Sequence, residues 1–299
     1  MLPISLLVWI VLELTIYLAL GRLLVGADWP AAITGAIVTL LIVRANLNAF
    51  TWIFAAFHSS PVQRPNKPLG MWRKLMIIIG EYFAYLLTFV LVIPFERLWM
   101  PADRLREERR VILLVHGYGC SRGVWWLLRR RLEAAGCTVA SISLAPPFIS
   151  MGKMVPQLRE RIDAVCAATG ARKLTLVGHS MGGLICRSYL ARHGNDKVAA
   201  LITLATPHAG SELVRFGIGQ NAREMEPGSL WLRDMAAESP AIPTIAFRNA
   251  CDNYVMPQDN QKLPGAYNVD LPPIGHIAML YDRRVANLVV DACSDQGFH

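Results

Sequence analysis

The residues with the most chemical consequence in this chain are Gly178-His179-Ser180-Met181-Gly182, followed by Gly183. A serine with glycines two residues to either side fits a sharp turn between a strand and a helix, where the chain folds back closely on itself. The apolar run Leu174–Val177 before it supplies the strand. The helical period of Met181–Arg192 after it supplies the helix, with Gly194 placed to end it. Such a turn lifts a hydroxyl above the sheet edge. It also aims the N–H of Met181 at the place where an attacked carbonyl would develop negative charge.

A serine hydroxyl is a poor nucleophile until a base takes its proton, and the base needs an orienting carboxylate. Downstream of Ser180 stand His193, His208, His276 and His299. His193 sits near a helix end, where it suits the dipole, and His299 is terminal. His208, in Thr206-Pro207-His208-Ala209-Gly210, follows a strand end and is a rival. His276, in Gly275-His276-Ile277, lies on a loop before the last helix, where the order serine, acid, histidine places the base. Asp252 follows the strand Thr244–Phe247 and is the candidate acid, with Asp259 and Asp270 as alternatives. An oxyanion hole needs two donors. His116-Gly117-Tyr118-Gly119, at the end of an earlier strand, offers the Tyr118 N–H beside that of Met181.

These residues need a scaffold that brings them to one edge. From Val111 onward the pattern alternates strand and helix. Val111–Val115, Thr138–Leu144, Leu174–Val177, Val198–Leu204 and Thr244–Phe247 read as strands. Val124–Ala135, Val155–Ala168, Met181–Arg192 and Ala278–Ala292 read as helices, with Pro156 suited to a first turn. Alternation of this kind gives an α/β class: a mostly parallel sheet with helices on both faces.

The quoted segments resemble bacterial lipases and esterases of the α/β-hydrolase superfamily and, more loosely, the inositol deacylases. Ala205-Thr206-Pro207-His208-Ala209-Gly210-Ser211 looks like the T-P-H-x-G segment of that family, and Gly275-His276 looks like its histidine loop. The resemblance covers roughly Val111 to Ala292. It implies an α/β-hydrolase fold and acyl-ester hydrolysis through an acyl-enzyme, with Ser180, His276 and Asp252 as triad. It also implies that the stretch around 208–240 caps the site. Some family lipases carry a structural calcium; no ligand set for one stands out here, and no metal or cofactor is expected. The same triad could serve thioester cleavage or acyl transfer. A membrane-embedded binding or regulatory protein with a secondary hydrolase domain is the rival from another class.

The first hundred residues have a different character. The chain of 299 residues is 54% hydrophobic and 17% charged, well below the roughly 25% charged residues of soluble domains. Leu2–Leu24, Pro30–Phe57 and Leu75–Phe95 each approach the ~20 apolar residues that cross a bilayer. The chain therefore divides into a membrane-spanning helical region, 1–100, and a catalytic domain, 101–299, entered through the polar stretch Pro101–Arg110. The connection His58–Lys74 carries Arg64, Lys67, Arg73 and Lys74 and no acid. The positive-inside rule puts it in the cytoplasm. Three crossings then place the catalytic domain in the periplasm, anchored in a bacterial inner membrane; changing the number of crossings by one reverses the side. Glu13, Arg44 and Glu81 interrupt the apolar stretches, where ions are costly. Pairing between helices is one reading, and a part in lipid passage the other.

The formal charge of +8 comes without any nucleic-acid motif, so the expected partners are a lipid or other ester substrate and the bilayer. Arg129-Arg130-Arg131 reads as a solvated helix face or a contact with anionic headgroups. Trp125 and Trp126 either flank the site entrance or pack in the core. The six cysteines form no metal-binding spacing, and one disulfide is possible in an oxidising compartment.

Overall fold

The computed structural model describes residues 2–60, 69–107, 110–236 and 240–294. Arg64 and Lys67 of the basic connection, Glu108 and His299 lie outside the described residues. The chain opens with α1 (Leu2–Leu23), α2 (Trp29–His58) and α3 (Met71–Leu86), the last continuing as a π-helical turn over Leu87–Val92. These three are long and apolar enough to cross a membrane. Asp28 caps α2 by accepting the Ala31 N–H at 2.9 Å, with Pro30 in the first turn, where its missing donor costs nothing. Helices α1 and α2 pack as a hairpin, with Gly21 against Ala32 and Glu13 bonded to Arg44 through two contacts, one of 2.9 Å. Tyr17 donates a further bond to Glu13 at 2.7 Å. The expected pairing between helices thus holds for Glu13 and Arg44. It does not hold for Glu81, whose partners lie in the α/β part.

A short helix, α4 (Glu96–Trp99), leads into that part. There follow β1 (Val111–Val115), α5 (Trp126–Ala134), β2 (Thr138–Ile142), α6 (Met151–Thr169), β3 (Leu174–His179) and α7 (Met181–His193). Then come β4 (Val198–Leu204), α8 (Gln220–Glu224), α9 (Leu230–Ala236), β5 (Thr244–Arg248), β6 (Tyr267–Asp270) and α10 (Arg283–Ala292). The six strands form one parallel sheet in the order β2-β1-β3-β4-β5-β6. Apolar residues point to both faces, as a sheet covered on both sides requires. Trp125, Leu132 and Val289 fill one face under α5 and α10. Leu158, Ile162, Leu184 and Ile185 fill the other under α6 and α7.

Some boundaries differ from the sequence expectation for identifiable reasons. Helix α6 begins at Met151 rather than Val155. Ser150 caps it by accepting the Gly152 N–H, and Glu224 accepts from Ser150 Oγ and the Met151 N–H. Pro156 therefore sits inside the helix. The closing helix starts at Arg283, where Asp282 accepts the N–H groups of Arg284 and Val285; residues 278–280 form only a 3-10 turn. The sequence pattern gives no edge strand at β6, which is short and partly exposed. Arg129 is neither a solvated nor a lipid-facing residue. It is 4% exposed and bonds Asp103 at 2.9 Å, which pins the polar entry segment to α5. Trp125 is fully buried, and Trp126 packs against Trp99 and Tyr281. No disulfide joins any of the six cysteines.

The Glu13–Arg44 pair is desolvated between two apolar helices, so removing one partner strands the other. Arg44→Ala is expected to destabilise the detergent-solubilised protein by about 3 kcal/mol or more, and Glu13→Leu with Arg44→Leu to recover most of that loss. Thermal unfolding of these variants beside the parent protein checks both outcomes.

Candidate active site

Ser180 stands between β3 and α7 with φ 54° and ψ −126°, a left-handed backbone that a non-glycine residue adopts only under constraint. The constraint is visible in its neighbours. A Cβ on Gly178 would stand 2.6 Å from Gly183 Cα, one on Gly182 2.2 Å from the Val115 carbonyl oxygen, and one on Gly183 2.0 Å from Thr206 Oγ1. Only hydrogen fits at these three positions. The Ser180 N–H donates to the Leu204 carbonyl at 2.9 Å, which ties the turn to β4. The next residue, Met181, opens α7, so its N–H belongs to the donor end of that helix.

His276 and Asp252 meet although they lie on different loops. His276 Nδ1 is 2.8 Å from Asp252 Oδ2, and both residues are buried, at 3% and 1% exposure. The other oxygen, Asp252 Oδ1, accepts the N–H groups of Tyr254 and Val255 at 2.8 and 2.7 Å, which fixes the carboxylate plane. The ring of His276 lies between those of Tyr254 and His179, with centroids 5.1 and 4.6 Å away. Burial works against protonation of His276. The charge and hydrogen bond of Asp252, with the charge of Glu81, outweigh it and hold the imidazole pKa above its ordinary value. His179 has no such partner, and burial together with the neighbouring His276 pushes its pKa well below that value.

Ser180 and His276 line one cavity of about 450 Å³, with Tyr118 at its edge. Tyr118 and Gly117 form the turn after β1, and a Cβ on Gly117 would come within 2.9 Å of Ser180 Cβ, so this loop abuts the serine turn. His116 holds the loop in place. Its Nδ1 faces the Gly117 carbonyl at 2.8 Å and its Nε2 accepts the Leu144 N–H at 3.0 Å. Burial pushes its pKa down to about 4, so it is neutral in this role. The Tyr118 hydroxyl donates to the Ile218 carbonyl and accepts the Ile218 N–H, both at 2.7 Å, and so joins this loop to the insertion between β4 and β5.

The rival residues are engaged elsewhere. His208 is buried between Arg187 and Thr203, at 3.3 and 3.2 Å. Asp259 bonds Ser60 and Lys262, and Asp270 pairs with Arg248 at 2.7 Å. Among the described residues no group of three or more His, Cys, Asp or Glu side chains is placed to hold a metal ion.

Sequence reasoning missed the partners that hold the histidine loop. Asn253 Oδ1 accepts the His276 N–H at 3.1 Å, and Asn253 Nδ2 donates to Thr51 Oγ1 on α2 at 2.8 Å. Glu81 on α3 is fully buried; its carboxylate accepts the N–H of Ile277 at 2.9 and 3.1 Å and that of Ala278 at 2.8 Å. A Cβ on Gly275 would lie 2.1 Å from Glu81 Oε2, which explains the glycine before the histidine. The readable signal was a carboxylate in an apolar helix; its partners, two loop amides, carry no signal in the sequence.

A family model described as the alpha/beta hydrolase fold matches residues 110–227. A triacylglycerol lipase of Pseudarthrobacter phenanthrenivorans is 35% identical over 123 residues, 38% of this chain and 38% of that protein. A triacylglycerol lipase of Burkholderia plantarii is also 35% identical over 123 residues, 38% of this chain and 34% of that protein. The matched stretch spans little more than a third of these relatives' length. The crystal structure of the mature Bacillus licheniformis lipase BlEst2 superposes with a TM-score of 0.57 at 19% identity, covering 66% of this chain and 96% of that one. Over residues 110–227 the chain thus matches the α/β-hydrolase fold, and the relatives matched there are lipases and esterases.

The raised pKa of His276 gives a direct check. Its favourable contacts contribute stability below the unfolded value of about 6.5, a contribution lost as pH rises through the folded value. Asp252→Asn removes the principal charge favouring protonation. Titration of the His276 ring by NMR is expected to give a pKa above 6.5 in the parent protein and a lower one in the variant.

Proposed function

We propose that the protein is a membrane-attached serine hydrolase that cleaves carboxylic esters of lipids through an acyl-enzyme. The observation that carries this reading is the buried Asp252–His276 contact, with His276 and the strained Ser180 lining one apolar cavity. Asp252 keeps the proton on His276 Nδ1, which leaves Nε2 free to take the proton of Ser180 Oγ as that oxygen attacks the ester carbonyl. The N–H groups of Met181 and Tyr118 receive the oxyanion. The intermediate collapses as His276 returns the proton to the departing alcohol. Water, deprotonated by His276, then attacks the acyl-serine, and the carboxylic acid leaves as Ser180 recovers its proton.

The substrate reading rests on what walls the cavity. Leu2 and Leu6 of α1, Leu47 and Phe50 of α2, and Phe89 after α3 face it, alongside Leu213, Val214 and Phe216 of the insertion. Phe216 packs edge-on against Phe50 and Phe54, at 5.3 and 5.4 Å, so the insertion and α2 share one apolar wall. An acyl chain fits a surface of this kind. The likeness to two triacylglycerol lipases and the bilayer length of the helices forming the wall favour a lipid ester over a small soluble one. The insertion around 208–240 acts as the cap, and residues 101–299 as the catalytic domain.

Two variants test this reading. Ser180→Ala is expected to lower ester turnover by about 10⁶-fold and to abolish labelling by a fluorophosphonate probe; labelling that persists would remove Ser180 from the mechanism. Glu81→Gln replaces a two-oxygen acceptor by one oxygen and an NH2 group that opposes a loop N–H. The loss of charge-assisted bonds worth about 1.5–3 kcal/mol is expected to slow kcat by about 10–100-fold.

A further inference from the structure

Three helices are long and apolar enough to cross a membrane, and their contacts decide which of them do. We infer that the α1–α2 hairpin alone crosses the bilayer, that α3 lies along the hydrolase body, and that the body therefore occupies the same membrane face as the basic connection between α2 and α3. By the positive-inside rule that face is cytoplasmic, the reverse of the side that three crossings would give.

The argument is one of reach. A crossing helix has its two ends on opposite sides of about 30 Å of hydrocarbon, and a body outside the membrane can touch only one of them. Helix α3 with its π turn is 22 residues long, about 33 Å at ~1.5 Å per residue, and although residues 71–76 are exposed, the body flanks it at points along its length. In its first turns Arg73 and Met76 share a groove with Asp282 and Arg284. Halfway along, Glu81 accepts the amides that follow His276. At its end, Thr88 Oγ1 and the Tyr281 hydroxyl are 2.7 Å apart.

The far end of α2 is held in the same way. The Ser60 N–H donates to Gln258 Oε1 at 3.0 Å, and the Ser60 hydroxyl donates to Asp259. The connection that begins here and ends at α3 is thus attached to the body at both ends. Its sequence, with the first turn of α3, carries Arg64, Lys67, Arg73 and Lys74 and no acid. The start of α1 also meets the body, where Leu2 and Pro3 share a recess with Ser121 and Leu144. What projects beyond these contacts is the hairpin, with Val8, Leu12 and Ile16 of α1 and Ile33, Ile37 and Ile42 of α2 exposed along it. Around its tip the one lysine or arginine is Arg22, whose Nη1 donates to the Ala27 carbonyl at 2.6 Å beside Asp28, against four basic residues on the connection. Leu6 and Phe50, which wall the catalytic cavity, lie where the hairpin meets the body. Given the ester-hydrolase reading on which this last step rests, the substrate is an ester lipid of the cytoplasmic leaflet.

Reporter fusions to the full chain test the topology in a Gram-negative host. Green fluorescent protein after His299 should fluoresce, and alkaline phosphatase at the same point should be inactive. The variant Ala27→Cys, at the hairpin tip, should react with a membrane-impermeant maleimide in intact cells with a permeabilised outer membrane. Active phosphatase after His299, or a tip thiol shielded until the inner membrane is opened, would overturn the inference. Fluorophosphonate labelling of Ser180 in the same membranes reads the hydrolase activity separately. Labelling with active periplasmic phosphatase would leave an ester hydrolase facing the other way, whereas absent labelling with a fluorescent C-terminal fusion would keep the topology and remove the hydrolase.

Discussion

The geometry of this protein turns on a buried carboxylate–imidazole contact. Asp252 and His276 are almost fully removed from water, and their 2.8 Å contact is held there by further hydrogen bonds to Asp252 and to the histidine loop. Two backbone amides hold Asp252 Oδ1, Asn253 holds the amide of His276, and the Glu81 carboxylate holds the two amides after it. A buried charged pair is stabilising only under such conditions, because desolvation otherwise exceeds the attraction. The loop bearing His276 has little regular structure of its own, and the N-terminal helices supply its supports.

This changes the part that those helices play. Helices that only tether a domain need no specific polar contacts with it. Here α2 reaches the histidine loop through Thr51 and Asn253, α3 reaches it through Glu81, and both contribute to the cavity wall. The Tyr118 hydroxyl, bonded twice to Ile218, joins the loop after β1 to the insertion between β4 and β5 on the other side of the cavity. The helices long and apolar enough to cross a membrane are therefore also the supports of the histidine loop.

What the sequence made legible was local. The glycines around Ser180 are demanded where the turn presses on itself, on Val115 and on Thr206; their spacing announces the turn, and the strand and helix on either side follow from periodicity. Chain order selected His276 over His208, a position just past a strand end selected Asp252 over Asp259 and Asp270, and His276 and Asp252 lie 2.8 Å apart. What remained illegible depends on partners far apart in the chain. Glu81 meets Ile277 across 196 positions, and nothing about a glutamate in an apolar run says that its partner is a loop amide instead of an arginine. Arg129 looks like part of a charged surface because its partner, Asp103, lies in a segment that reads as a linker. The start of α6 escapes the sequence pattern because its cap depends on Glu224, more than seventy residues away.

The central claim is that an acyl group passes through covalent attachment to Ser180 on its way from ester to water. Rapid quenching of the full-length protein with a slowly deacylating ester, followed by peptide mass mapping, observes that intermediate directly. The account predicts one acyl adduct, on the peptide containing Ser180, which forms and decays at rates consistent with turnover. Turnover accompanied by an adduct on another residue, or by none under conditions where deacylation is rate-limiting, would contradict it.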